Sequence, residues 1–144
     1  MSPFVRELVT LLKNKSKKHC AIATVSPNGK PECAIVGYSV YDDLSLLLYT
    51  DNKSRKWHNL QVNNTIAVAI GWDANEAFIQ YEGLATFITG GDLYRVSEDL
   101  FFTDHHNSLQ FKGQAGSVFI KVKPLWARLT DLTKDPPRIE EVSL

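Results

Sequence analysis

The sequence predicts a mainly β protein with flanking helices, an α+β chain whose strands close into a small antiparallel barrel. Three observations carry that expectation: about six apolar strand segments, turn-forming residues between them, and no strand–helix–strand alternation of the kind that builds a parallel sheet. At 144 residues the chain reads as a single domain, 1–144, with an N-terminal helix over about residues 3–15 and a tail over about 133–144. A barrel of that size fills its interior with side chains, which places a ligand outside it or at a subunit interface.

Ser2 or Pro3 starts a helix in which Phe4, Val5, Leu8, Leu11 and Leu12 share one face. The cluster Lys13-Asn14-Lys15-Ser16-Lys17-Lys18 ends it with cations suited to the C-terminal dipole. His19 to Ser26 is the first strand. Asn28-Gly29 is a strong hairpin signal and leads into a second strand from Glu32 to Tyr41. Asp42-Asp43 turns the chain again into Leu44 to Thr50, completing an antiparallel meander. Ser54 to about Val62 is a short helix, broken by Asn63-Asn64. Thr65 to Trp72 reads as a buried strand, Asp73-Ala74-Asn75 as a turn and Ala77 to Thr89 as a long strand, with Gly83 marking a bulge or a close backbone approach. Gly90-Gly91 opens a helix from Asp92 to Phe102, with Leu93, Val96 and Leu100 on one face. Thr103 to Gly116 is polar and weakly patterned. Ser117 to Val122 is a strand that Pro124 interrupts and Leu125 to Leu132 continues, and the tail with Pro136-Pro137 and Glu140-Glu141 reads as an arm.

Composition excludes some classes of function. The apolar share of 44% and charged share of 22% are those of an ordinary soluble domain, and a formal net charge of zero argues against binding nucleic acid or an anionic membrane through a general basic field. Met1 to Lys18 lacks the layout of a secretory signal and no apolar run approaches the roughly 20 residues of a membrane span, so a cytoplasmic protein is expected. Cys20 and Cys33 match no zinc spacing and read as small buried hydrophobes.

The stretch from Tyr49 to Leu60 is where chemistry concentrates. An apolar strand ends there and a helix begins with Ser54-Arg55-Lys56. Ser54 is a natural N-cap, the first helical turn offers N–H groups with no partner in the helix, and the helix dipole favours an anion at that end. A guanidinium can grip two phosphate oxygens while an ammonium acts as a point charge. The plainer reading is a capped surface turn with solvated cations; the strand end that delivers the chain there favours a ligand site.

The hairpin around Pro27-Asn28-Gly29-Lys30-Pro31, the Tyr-Thr-x-x-x-Ser-Arg-Lys-x-x-x-Leu segment at Tyr49 to Leu60 and the Gln-Tyr-Glu-Gly-x-Ala segment at Gln80 to Ala85 together resemble the pyridoxamine 5'-phosphate oxidase-like flavoproteins, in particular their short, stress-protein-like members, over about His19 to Leu129. The resemblance implies an FMN-binding split barrel that forms a homodimer and holds two FMN molecules between subunits. It implies that Ser54, Arg55 and Lys56 hold the FMN phosphate, that Tyr49 and Thr50 run beside the flavin, and that Val36 and its neighbours pass backbone along the ring. Gln80 reaches the cofactor from the adjoining strand, and Trp126 of the partner subunit covers it.

The chain also departs from that pattern. Where the family's oxidases place a basic pair after the hairpin, it has Ala34 and Ser39, and where they carry a C-terminal Arg-x-His it has Asp135-Pro136-Pro137-Arg138. Oxidation of pyridoxamine phosphate is therefore not expected, while cofactor binding survives. Three functions remain open: an FMN-dependent oxidoreductase with a small-molecule substrate, a flavin-binding or sensing protein without turnover, and the same fold carrying a deazaflavin or haem.

His105-His106 lacks partners at metal-ligand spacing and reads as an exposed polar loop, His58 as a surface residue and Asp42-Asp43 as a solvated turn. Trp57, Trp72 and Trp126 are expected to pack in the core or an interface. No nucleophile elbow, Walker loop or dinucleotide fingerprint is present.

Overall fold

The computed structural model describes residues 1–144. Helix α1 (Pro3–Asn14) is capped by Ser2, whose hydroxyl accepts the Val5 amide at 3.2 Å, with Pro3 at the first helical position where a missing N–H costs nothing. Strands β1 (His19–Val25), β2 (Pro31–Val40) and β3 (Leu46–Asp51) follow, then helix α2 (Arg55–Val62), β4 (Thr65–Ile70), β5 (Phe78–Ile88), helix α3 (Gly91–Asp104), a 3-10 turn at His106–Phe111, β6 (Ser117–Asp131) and β7 (Arg138–Ser143).

All strand pairs are antiparallel. The order β3-β2-β1-β4-β5-β6 is closed by pairing of β3 with β6, giving a six-stranded barrel with β7 added outside β6. Inward-facing Ile22, Val36, Tyr38, Leu46, Leu48, Val68, Tyr81 and Ile120 form the core, and α1 adds Val5, Leu8, Val9 and Leu12 to it. Two buried tyrosines satisfy their hydroxyls on backbone: Tyr38 donates to the Leu12 carbonyl at 2.9 Å, tying α1 to β2, and Tyr81 Oη lies 3.1 Å from the carbonyl oxygens of Leu44 and Val122.

The bulge anticipated at Gly83 is present. Glu82 faces Trp126 while Gly83 faces Pro124, leaving Leu125 as the extra residue, and a Cβ on Gly83 would sit 2.4 Å from the Lys123 carbonyl oxygen. Because Pro124 lies at this irregularity, β6 runs unbroken through it rather than being interrupted. The tail differs from an arm. Arg138 to Ser143 pair with Trp126 to Asp131, and the Arg138 guanidinium grips Glu7 of α1 at 2.7 and 3.0 Å and Glu140 at 2.6 Å.

Helix α3 lies outside the barrel against β2, β3 and β6, over a second apolar cluster of Leu47, Ile88, Phe101, Phe102 and Phe119. Of the face Leu93, Val96 and Leu100, only Leu100 packs partly against this cluster; Leu93 and Val96 are exposed at 59% and 63%, because Ser97, Phe101 and Phe102 turn inward instead. No helix is long and apolar enough to cross a membrane.

Candidate functional site

Two depressions flank the β3–α2 junction, one lined by the start of α2 and the other by the end of β3. Side chains alternate along a strand, so Tyr49 projects outward under α3 while Thr50 turns toward α2.

On the α2 side, Ser54 has extended backbone (φ −71°, ψ 151°) and its hydroxyl accepts the Trp57 amide at 3.3 Å. The same hydroxyl donates to the Asp51 carbonyl at 3.0 Å and accepts from Thr50 at 3.2 Å, which fastens the helix start to the strand end. The amides of Arg55 and Lys56 precede the capped one and have no acceptor within the helix. Arg55 and Lys56 line a notch of about 80 Å³ together with Thr24, Glu32, Cys33 and Ala34. Lys56 is half-buried, and that burial lowers its ammonium pKa; the Asp51 charge opposes the shift and the Arg55 charge adds to it. Arg55 is 71% exposed and reaches Glu32 Oε2 at 2.9 Å. Beneath that pair, the Asn59 carboxamide donates to Glu32 Oε1 at 2.8 Å and to Thr24 Oγ1 at 3.0 Å.

On the α3 side, a cavity of about 370 Å³ is lined by His19, Gly37, Tyr49, Thr50, Phe101 and His105, with Ser108, Phe111, Gln114 and Ser117 at its rim. The Tyr49 hydroxyl donates to the Phe111 carbonyl at 2.6 Å and lies 2.5 Å from Ser117 Oγ, and its ring stacks on Phe101 at 5.3 Å. His105 is buried here rather than exposed with its neighbour His106. Its Nε2 sits 2.7 Å from the Tyr38 carbonyl, its ring stacks on Phe101 at 4.1 Å, and a Cβ at Gly37 would come within 2.8 Å of it. A carbonyl can only accept, so Nε2 carries the proton. Burial lowers the imidazole pKa below 6.5, against the bond to Tyr38, which raises it.

A third, shallower groove of about 230 Å³ crosses the outer face of β1, β4, β5 and β6 and shares Cys33 with the notch. Register aligns Cys33, Ala23, Ala67, Glu82 and Trp126 in one row and Ile35, Ala21, Ala69, Gln80 and Arg128 in the next. Small side chains leave this face flat, and Ile35 is 59% exposed on it.

The structure sets Tyr49 and Thr50 in the α3 cavity and Arg55 and Lys56 in the notch, with Ser54 bonded to Thr50 between them, and places Gln80 and Trp126 in the groove that adjoins the notch. Val36 points into the barrel, so only its backbone is available outside. Cys20 is buried, with its thiol pushed up to about 12 by desolvation, but Cys33 is exposed, because β2 turns it onto the outer face. Trp57 packs on Phe87 at 4.9 Å, whereas Trp72 is 52% exposed and donates to the His19 carbonyl at 3.2 Å. Ser39 is fully buried and its hydroxyl is unpartnered. No cluster of three or more His, Cys, Asp or Glu side chains is placed to hold a metal ion. Glu32, Asn59, Gly37 and His105 were not singled out as site residues from sequence: their roles depend on partners far along the chain.

Residues 4–131 match the family described as pyridoxamine 5'-phosphate oxidase. A pyridoxine/pyridoxamine 5'-phosphate oxidase from Bacteroides fragilis is 32% identical over 71 residues, 49% of this chain and 30% of that enzyme, so the match spans under a third of the curated relative. Among solved structures, a pyridoxamine 5'-phosphate oxidase-related, FMN-binding protein of Nostoc punctiforme superposes with a TM-score of 0.72 at 16% identity, covering 100% of this chain and 97% of that one. A haem-binding protein of Mycobacterium smegmatis gives 0.79 at 14% identity, covering 99% and 59%. At these identities the two structures establish a common fold.

Proposed function

The chain belongs to the pyridoxamine 5'-phosphate oxidase family, and from that premise we propose that it is an FMN-binding flavoprotein that works as a homodimer and acts as an oxidoreductase. One observation carries the proposal: Arg55 and Lys56, two cations in the first turn of α2 whose amides have no acceptor within the helix, line a notch of phosphate size, and the strand leading into that helix lines the larger cavity. The donor set fits a phosphate monoester. The notch is too small for a flavin ring, which extends toward Tyr49 and Thr50.

Bound FMN supplies the electron chemistry; the chain's residues supply position. Arg55, Lys56 and the first turn of α2 hold the phosphate, and the backbone of β2 from Ala34 to Gly37 borders the ring. The flat outer face, with Ile35 exposed and Gln80 and Trp126 in its groove, fits a two-fold contact that lays Trp126 of the partner subunit over the cofactor. Ala34 and the sealed Ser39 place no cation beside the ring, so the substrate is not expected to be pyridoxamine phosphate.

A second reading, flavin binding without turnover, draws on the α3 cavity. The His105 Nε2–H is committed to the Tyr38 carbonyl and the Tyr49 hydroxyl to that of Phe111, so neither has a proton free to donate to a substrate. Deazaflavin or haem in place of FMN is distinguished by absorbance.

Adding FMN should raise the melting temperature and quench flavin fluorescence, since a ligand that binds only the folded form stabilises it. No response well above micromolar FMN refutes the cofactor assignment. Sedimentation of the FMN-loaded protein should give a dimer; a monomer removes the shared site. Turnover with reduced nicotinamide then separates the oxidoreductase from the binding protein.

A further inference from the structure

Glu32 is an acid set in a place suited to an anion. Its side chain is only 13% exposed, and its two oxygens are divided between Arg55 on the rim and Asn59 below. Asn59 is itself 4% exposed and anchored to Thr24, so the carboxylate cannot swing away without stranding a buried amide. Stability does not account for the pair. Arg55 is 71% exposed, where an ion pair contributes little, and α2 is already capped by Ser54. Glu32 instead satisfies the guanidinium that an arriving phosphate needs, and places a like charge in the same notch.

We infer that Glu32 is a built-in stand-in for the ligand's phosphate: it holds Arg55 over the notch when the site is empty and opposes the phosphate when it arrives. The inference rests on reading the notch as the phosphate site. Its consequence is a phosphate ligand held more weakly than Arg55 and Lys56 alone would hold it, and therefore exchangeable. Like charges roughly 6 Å apart repel enough to shift a binding equilibrium by about threefold in bulk water and about a hundredfold at the effective dielectric of a protein surface, so a shift of about tenfold is expected for a site open to solvent.

The test is Glu32→Gln, which keeps a carbonyl oxygen for Asn59 and removes the charge. Affinities for FMN, riboflavin and inorganic phosphate are measured for both proteins, with ligand-free melting temperatures as the folding control. The expected result is a gain of about tenfold for FMN and for phosphate, with riboflavin unchanged. Glu32→Ala should shift both ligands in the same direction and serves if the Gln variant folds poorly. If the parent binds FMN and neither variant binds it more tightly, Glu32 only positions Arg55 and the inference falls while the FMN assignment stands. A gain for phosphate in a protein that ignores FMN upholds the stand-in and refutes the cofactor. No response to phosphate or FMN by any of the proteins overturns both.

Discussion

The notch beside α2 and the cavity beneath α3 lie on either side of the β3–α2 junction, linked by the Thr50–Ser54 hydrogen bond, yet they are held by different physics. The notch is an assembly of short polar links, Thr50 to Ser54, the Trp57 amide to Ser54 and Asn59 to Glu32, around an exposed Arg55 and a half-buried Lys56. The cavity is an assembly of rings, with Tyr49, Phe101, Phe102, Phe119 and His105 packed over Gly37 and Leu47. Ligand recognition can therefore be removed from the first with little harm to the fold, whereas the second cannot be altered without unpacking a layer of the protein.

Phe101→Ala breaks the ring layer and should show the largest effect, a loss of about 3–5 kcal/mol in unfolding free energy. In denaturant titration the midpoint should fall steeply while the folded fraction keeps its preference for FMN over riboflavin. If that preference collapses too, the two regions are not separable.

Arg55→Ala and Lys56→Ala make the complementary cut. Each should weaken FMN by about 1.5–3 kcal/mol, roughly ten- to a hundredfold or more, if it makes charged hydrogen bonds to the phosphate. Riboflavin should be nearly unaffected and unfolding should shift by no more than about 0.5 kcal/mol. Equal losses for both flavins would make this the plain capped turn.

Ser54→Ala touches the link between the regions. Losing the cap should cost about 1 kcal/mol of stability, and FMN affinity should fall as the first turn loosens. Thermal melts and flavin titration on the same sample report both; a stability loss with unaltered FMN binding would detach the helix start from the ligand.

The smallest effect is a pH dependence confined to the α3 side. His105 is held neutral by burial, so the unfolded chain takes up its proton more readily than the folded one does. Stability from the neutral ring is complete above the unfolded value near 6.5 and is lost as pH falls through the lower folded value. Melting temperature should decline as pH falls below the unfolded value, and His105→Gln should flatten that decline. An unchanged profile in the variant would assign the titration elsewhere.

The same contrast explains what could be read from sequence. The Asn28-Gly29 hairpin, the Ser54 cap and the Gly83 bulge are local, written by residues a few positions apart, and their outlines were legible. His105 was not, because its burial depends on Gly37 leaving room for it from another strand. Helix α3 carries two candidate apolar faces, and only the aromatic cluster on β3 and β6 selects Phe101 and Phe102 over Leu93 and Val96. Cys33 required the register of β2. Strand β7 is masked by Pro136-Pro137 and by charged residues whose partners lie far along the chain, Glu141 with Arg128 and Arg138 with Glu7.

Strand β6 pairs along its length with β5, at its start with β3 and at its end with β7. Until Ser117–Asp131 has left the ribosome, the growing chain has two open strand edges, on β3 and on β5, and no way to join them. Closure is a long-range event, slow by its topology, and it waits for the last of the six barrel strands. During that interval the apolar run Leu46-Leu47-Leu48 on one of those edges is free to pair with another chain. The strand that completes the barrel is thus also what ends the nascent protein's exposure to aggregation.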